Sequence, residues 1–245
     1  MKAIKVEWLE EAASTNALMR ERLLSASPPP TGTVLATTNQ TAGRGRGDRV
    51  WLSGEGKNLC FSLYMATDAP ALDIPSLTMA AALAVAGMLR EMGVAANTKW
   101  PNDVRVDGHK ICGILSEHFS AGKAKGAIVG IGINVNMTRE DAKRIDQPAT
   151  SIAIKTGNEV NPFDVLERLK PFLVQMIAKW KQDGFAAIRP LWMARCEGVG
   201  GRVELAEKGH VAAGVLAGFG EHGELILRFD NGDTVDFWSG DLRLS

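Results

Sequence analysis

The 245 residues predict an α/β (α+β) fold, residues 1–194 forming the larger unit and residues 195–245 a small all-β one. Three observations predict it. Runs rich in β-branched and aromatic residues alternate with helix-like segments as far as about Cys196, after which short strands separated by glycine turns take over. Apolar residues make up 45% of the chain and charged ones 23%, enough for a large core plus a small satellite domain. Internal repeats and low-complexity tracts are missing.

The elements follow in order. Residues 4–9 predict a first strand, and Ser14-Thr15-Asn16 then precede a helix over 17–24. These polar groups either cap that helix, whose first N–H groups need acceptors, or face a ligand. Pro28-Pro29-Pro30 stiffens the connector to a strand at 34–38. A loop rich in glycine and arginine, residues 40–51, leads to a strand at 59–65. Residues 75–92 predict a core helix with Pro75 in its first turn and Gly93 as its stop. Pro101 ends the next strand and pushes Trp100 to an extended backbone. Asp107-Gly108 between residues 104–106 and 109–115 predicts a tight hairpin, with Lys110 just past the turn.

The strand over 129–136 places Val129, Ile131, Ile133 and Val135 on one face and Gly130, Gly132, Asn134 and Asn136 on the other. Glycines inside a strand imply close approach to the backbone, either by a ligand or by a crowded neighbouring helix. Asn161-Pro162 opens a helix whose Val165, Leu166, Leu169, Leu173, Met176, Ile177 and Trp180 face the core, with a kink expected at Pro171. The tail predicts strands at 201–205, 215–219, 225–229 and 234–238, with hairpins at His222-Gly223 and Asn231-Gly232.

Bulk charge narrows the partners. Lys plus Arg equals Asp plus Glu at 28 each, so no global field gathers nucleic acid or anionic lipid. The most apolar stretch, 79–89, is too short to span a bilayer, and Met1-Lys2-Ala3-Ile4-Lys5 leads into acidic residues, so no membrane association or export is expected. Cys60, Cys112 and Cys196 are far apart and odd in number, which fits neither a disulfide framework nor a zinc site and suits a reducing cytoplasm.

The glycine-arginine loop is the most informative stretch. Gly43, Gly45 and Gly47 allow tight curvature, while Arg44 and Arg46 carry fixed positive charge. Read alone, it is a phosphate cradle or a nucleic-acid-touching basic loop. Strands on both sides favour the cradle. With Lys110 and the Asp103 carboxylate, it suits anhydride chemistry on a nucleotide, where cations stabilise charge growing on phosphate oxygens. Neither a P-loop nor a dinucleotide-binding glycine motif is present.

Five segments together resemble the biotin protein ligases, or biotin–[acetyl-CoA carboxylase] ligases. They are Gln40-Thr41-Ala42-Gly43-Arg44-Gly45-Arg46 with Trp51, Lys99-Trp100-Pro101-Asn102-Asp103, Lys110 through Gly113-Ile114-Leu115 to Glu117, Gly130-Ile131-Gly132-Ile133-Asn134-Val135-Asn136, and Ala149-Thr150-Ser151. The resemblance implies a mixed sheet in a class II synthetase-like catalytic domain and a small SH3-like β-barrel at the C-terminus. It implies two steps: biotin and MgATP give biotinyl-5′-AMP and pyrophosphate, then the biotinyl group passes to a lysine of a biotin carboxyl carrier protein. Ser14, Thr15, Asn16 and Gln40 would hold biotin's ureido ring, and Lys110 its carboxylate side. The strand with Gly130 and Gly132 would give the flat ring room, and Trp51, Gly113 and Asn134 would be further binding residues. Gly43, Arg44, Gly45 and Arg46 would close over the adenylate. Arg46, Lys110 and Asp103 would be catalytic, with Asp103 a base, a magnesium partner or merely a turn cap.

Two departures stand out: Gly47-Asp48-Arg49 intervenes where the family commonly continues with further arginines, and no helix-turn-helix fits before Trp8. No operator-binding repressor role is therefore expected, and homodimerisation is left open. A lipoate–protein ligase, a non-catalytic biotin or nucleotide sensor and a nucleic-acid binder are the rival readings.

Overall fold

The structure, a computed structural model, describes residues 4–47, 49–54 and 56–244. Met1, Lys2, Ala3, Asp48, Glu55 and Ser245 lie outside the described residues, and with them the acidic member of the Gly47-Asp48 departure and the start of the N-terminal segment. The chain runs through β1 (Lys5–Trp8), α1 (Thr15–Leu23), β2 (Thr33–Thr37), the two-residue strands β3 (Gly43–Arg44) and β4 (Val50–Trp51), and β5 (Leu59–Ala66). It continues through α2 (Ile74–Glu91), β6 (Asn97–Lys99), β7 (Asp103–Val106), β8 (His109–Ala121), β9 (Ala124–Ile133), α3 (Arg139–Ala142), α4 (Ile152–Thr156), α5 (Pro162–Asp183) and α6 (Arg189–Arg195). The last strands are β10 (Arg202–Glu207), β11 (His210–Phe219), β12 (Leu225–Arg228), β13 (Thr234–Phe237) and β14 (Asp241–Leu244).

The large sheet is mixed, in the order β1-β2-β5-β9-β8-β7-β6. Among the described residues, only β1 and β2 of its strands pair in parallel. Its two faces follow the period-two alternation of the strands. On one, Leu35, Tyr64 and Ile128 pack with Met19 and Leu23 of α1. On the other, Val34, Ala36, Val129 and Ile131 join the large core with α2 and α5. The α1 face is the face of Gly130 and Gly132.

Local chemistry explains the helix ends. Ser14 caps α1, its Oγ accepting from Ala17 N at 3.4 Å. α2 starts with Pro75 in its first turn and stops at Gly93, whose φ of 81° is left-handed; Val94 N then reaches back to Leu89 O at 2.9 Å. α5 is capped by Asn161 and continues through Pro171, burying the seven apolar residues the sequence predicted. Its Trp180 Nε1 donates to Ser76 Oγ of α2 at 2.7 Å. Asp107 and Gly108 form the β7–β8 turn with φ of 49° and 76°, the positive pair such a two-residue turn requires.

Several expectations need correction. The segment 71–91, counting the turn before α2, is long and apolar enough by composition to cross a membrane, unlike the 79–89 stretch alone, but 78% of its apolar window is buried inside the fold. The glycine-arginine segment is not an unbroken loop, since Gly43 pairs with Trp51 and Arg44 with Val50. β9 ends at Ile133, so Asn134 and Asn136 lie beyond the strand. The C-terminal sheet, in the order β13-β12-β11-β10-β14, has a fifth strand that the sequence did not announce. Among the described residues its outer strands β13 and β14 do not pair with each other.

Candidate active site

The first turn of α1, the β3–β4 segment and the β8–β9 glycines enclose a cavity of about 140 Å³. Most of the predicted site residues line it: Ser14, Thr15, Asn16, Gln40, Arg44, Gly45, Arg46, Trp51, Lys110, Gly113, Gly130 and Gly132. Such a volume is below the roughly 300–1,000 Å³ typical of small-molecule sites, and Trp51 is one reason. A Cβ on Gly132 would stand 2.4 Å from Trp51 Cε2, and one on Gly113 3.0 Å from Cζ3. The indole therefore lies on the patch made by these two glycines, which face each other across β8 and β9. Gly130 is covered likewise, since a Cβ there would meet Asn16 Oδ1 at 2.3 Å. Of the two sequence readings of the glycine strand, crowding is the one seen directly. Asn16 of the neighbouring helix α1 and Trp51 of β4 crowd it, and both are themselves walls of the cavity.

Polar groups around the cavity are cross-braced. Gln40 Oε1 accepts from Thr15 N at 2.9 Å, and Asn16 Nδ2 donates to Glu117 Oε2 at 3.1 Å. Arg20 lies 3.5 Å from Glu117 on its outer side. Glu117 belongs to one of the family-like segments, but the sequence reading gave it no role. Its period-two alternation with Gly113 and Leu115 was the available signal. Cys60 also lines the cavity, and burial pushes its thiol up to about 11, so it stays protonated near neutral pH and supplies no nucleophile.

Lys110 stands between this cavity and a second of about 390 Å³, and lines both. Its Nζ is 2.6 Å from Asp103 Oδ1, and both side chains are only 15% exposed. Its backbone is clamped on both sides: Lys110 N donates to Pro148 O at 2.8 Å, and Thr150 N donates to Lys110 O at 2.9 Å. This is the structural use of the Ala149-Thr150-Ser151 segment. The second cavity is bordered by Arg49, Lys99, Arg105, Lys110 and Arg243 against Asp103, Asp146 and Asp241, a surplus of cations. Burial pulls the Lys99 ammonium below its ordinary value, although Asp103 opposes this.

Three predicted residues sit differently from expectation. Asn134 does not line the cavity: it is buried, and its Nδ2 donates to Thr150 O at 3.0 Å, so it braces the segment that holds Lys110. Gly43 lies behind the wall, where a Cβ would come within 2.6 Å of both Gln40 Nε2 and Trp51 O. Asp103 borders the second cavity and reaches the first only through Lys110. Arg46 lines the first cavity, but its guanidinium also donates to Gly240 O and lies 3.4 Å from Asp241 Oδ1; Arg49 donates to the other oxygen of that carboxylate. Partial burial works against ionisation of Asp241, yet the two arginines outweigh it and hold its carboxyl below the usual range. Nothing in the local sequence marks Asp241 as their partner.

Comparisons with known proteins show the family of this chain. Residues 8–134 match the model of the biotin/lipoate A/B protein ligase family. A biotin–[acetyl-CoA-carboxylase] ligase of Paracoccus denitrificans is 35% identical over 93% of this chain and 95% of its own length. A bifunctional ligase/repressor of Bacillus spizizenii is 32% identical over 90% of this chain and 69% of its own. The solved structure of the Aquifex aeolicus biotin protein ligase in complex with biotin and ATP superposes with a TM-score of 0.82 at 31% identity, covering 98% of this chain and 99% of that one. The chain is therefore a ligase and belongs to the biotin/lipoate A/B protein ligase family, among its biotin protein ligases.

Proposed function

We propose that this ligase activates biotin with ATP and transfers it to a lysine of a biotin carboxyl carrier protein. The observation that carries the proposal is Lys110, its backbone held at both N and O where a cavity of about 140 Å³ with polar walls meets a cation-rich one. In the first step a biotin carboxylate oxygen attacks the α-phosphorus of ATP, giving biotinyl-5′-AMP and releasing pyrophosphate. Carboxylate and triphosphate are both anionic, so their approach needs fixed cations. Lys110 sits at the junction, with Arg46, Arg49 and Lys99 around it. Magnesium on the nucleotide phosphates would add positive charge. It commonly needs only one or two protein carboxylates besides phosphate oxygens and water, and Asp103 is the candidate. No cluster of three metal-binding side chains occurs among the described residues, so the nucleotide would supply the remaining ligands.

In the second step the neutral amine of the acceptor lysine attacks the acyl carbon and AMP departs. A free lysine has a pKa of about 10.4, which leaves roughly one molecule in a few thousand neutral at pH 7. Asp103, which borders the second cavity, would take that proton. Mass spectrometry of a carrier domain incubated with the protein, ATP, magnesium and biotin tests the whole reading. One added biotinyl group is expected, and none with lipoate in place of biotin. Labelling by lipoate alone would overturn it.

The glycine patch yields a second test. Gly132→Ala places a methyl against the Trp51 indole and is expected to weaken biotin binding by roughly tenfold or more, the scale of overpacking costs. Calorimetric titration measures it, and unchanged affinity would separate the patch from the ligand.

A further inference from the structure

We propose that Ser62 is a positioning residue that fixes the direction of the protons around the cavity, so that Thr15 meets the ligand as a hydrogen-bond acceptor. This deepens the proposal that the cavity takes biotin's cyclic urea and rests on it. Ser62 is fully buried on β5 and does not line the cavity; it stands behind Thr15 and Asn16. Its Oγ lies 2.5 Å from Asn16 Oδ1 and 2.7 Å from Thr15 Oγ1.

Counting protons settles the polarity. A hydroxyl has one proton and an amide oxygen has none. The contact between Ser62 and Asn16 Oδ1 must therefore use the proton of Ser62. The contact between Ser62 and Thr15 must then use the proton of Thr15. Asn16 cannot turn its amide over to relieve this, because its Nδ2 faces Glu117 Oε2 at 3.1 Å and Leu115 O at 3.4 Å, and both are acceptors. Thr15 Oγ1 is also 3.2 Å from Gln40 Oε1, but its proton cannot serve both contacts. The backbone N–H of Thr15 already satisfies that oxygen at 2.9 Å.

The result is a cavity wall with a defined code. Thr15 shows lone pairs only. Gln40, whose oxygen is engaged, has its NH2 group to donate, and Ser14, whose Oγ accepts from Ala17 N, keeps its own proton to give. A cyclic urea has a carbonyl that needs donors and ring N–H groups that need acceptors, and this wall offers both.

Ser62→Ala tests the assignment, with binding measured by calorimetry on the full chain. Biotin is compared with the two cyclic carbamates in which one or the other ring N–H is replaced by oxygen. Wild type is expected to bind one carbamate roughly 100-fold more weakly than biotin, because two acceptors then face each other. In Ser62→Ala the Thr15 proton is released and can turn toward the ligand. Biotin affinity is then expected to fall roughly tenfold, and the discrimination to shrink to within a few-fold. Ser62→Cys, nearly isosteric with a weaker donor, is expected to fall between, and it replaces the alanine variant if thermal melting shows that one unfolded. An unchanged ratio of affinities, even with biotin weakened, overturns the positioning role, since loss of packing alone would weaken both ligands alike. A wild type that binds no biotin overturns the function proposed above and this role with it.

Discussion

Lys110→Ala is expected to slow pyrophosphate release from biotin and ATP by roughly 100- to 1,000-fold, the scale seen when one preorganised charge-stabilising donor is removed. Lys110 is confined as such a donor must be, with its backbone held at both N and O and its Nζ 2.6 Å from Asp103 Oδ1. Little reorganisation would then be needed when charge builds on the phosphate. Biotin affinity is expected to change far less, because the residues proposed to hold the ring line other parts of the cavity. A competing explanation is that Lys110 only neutralises Asp103, a largely buried carboxylate whose partner cannot be removed cheaply. The double variant Lys110→Ala/Asp103→Asn, read against Asp103→Asn alone because that carboxylate is also the magnesium candidate, separates the two. Recovery of most of the rate would identify Lys110 as a structural counter-ion, whereas continued loss supports a role toward the phosphate. Single-turnover pyrophosphate release measures both.

Arg46→Gly is expected to release biotinyl-5′-AMP into solution and to label lysines of bystander proteins. Arg46 lines the cavity while its guanidinium is fastened to Gly240 O and Asp241. It thus ties the β3–β4 segment to the start of β14. Losing charge-assisted hydrogen bonds of this kind should raise the escape rate roughly 10- to 100-fold. Mass spectrometry of serum albumin added to the reaction reads the leak. Asp241→Ala, which leaves Arg46 in place but unfastened on its carboxylate side, is expected to leak to an intermediate degree. Labelling confined to the carrier domain in both variants would remove the shielding role from this segment.

The helix caps, the Asp107-Gly108 turn and the buried face of α5 were legible in the sequence because each depends on residues within a few positions of one another. The glycine alternation of β9 was legible for the same reason, and it located the face of the sheet on which the first cavity lies. What covers that face was not: Asn16 and Trp51 reach it from segments far away in sequence. Asn134 shows the same limit. Its alternation with Gly130 and Gly132 predicted a place beside the ligand, but the strand ends at Ile133 and the side chain turns to the Thr150 carbonyl.

Residue types, spacing and order by themselves determined the fold class, the family resemblance and about half of the residues that line the first cavity, since these rest on local backbone preference and on motifs carried whole within short segments. Only the tertiary structure decided that Lys110 bridges two cavities, that Ser62 stands behind Thr15 and Asn16, and that Asp241 fastens Arg46 and Arg49. Each of these depends on strands and loops distant in the chain being brought within hydrogen-bonding reach. A serine or aspartate in an ordinary strand has no local mark of the partner that sheet pairing will set beside it.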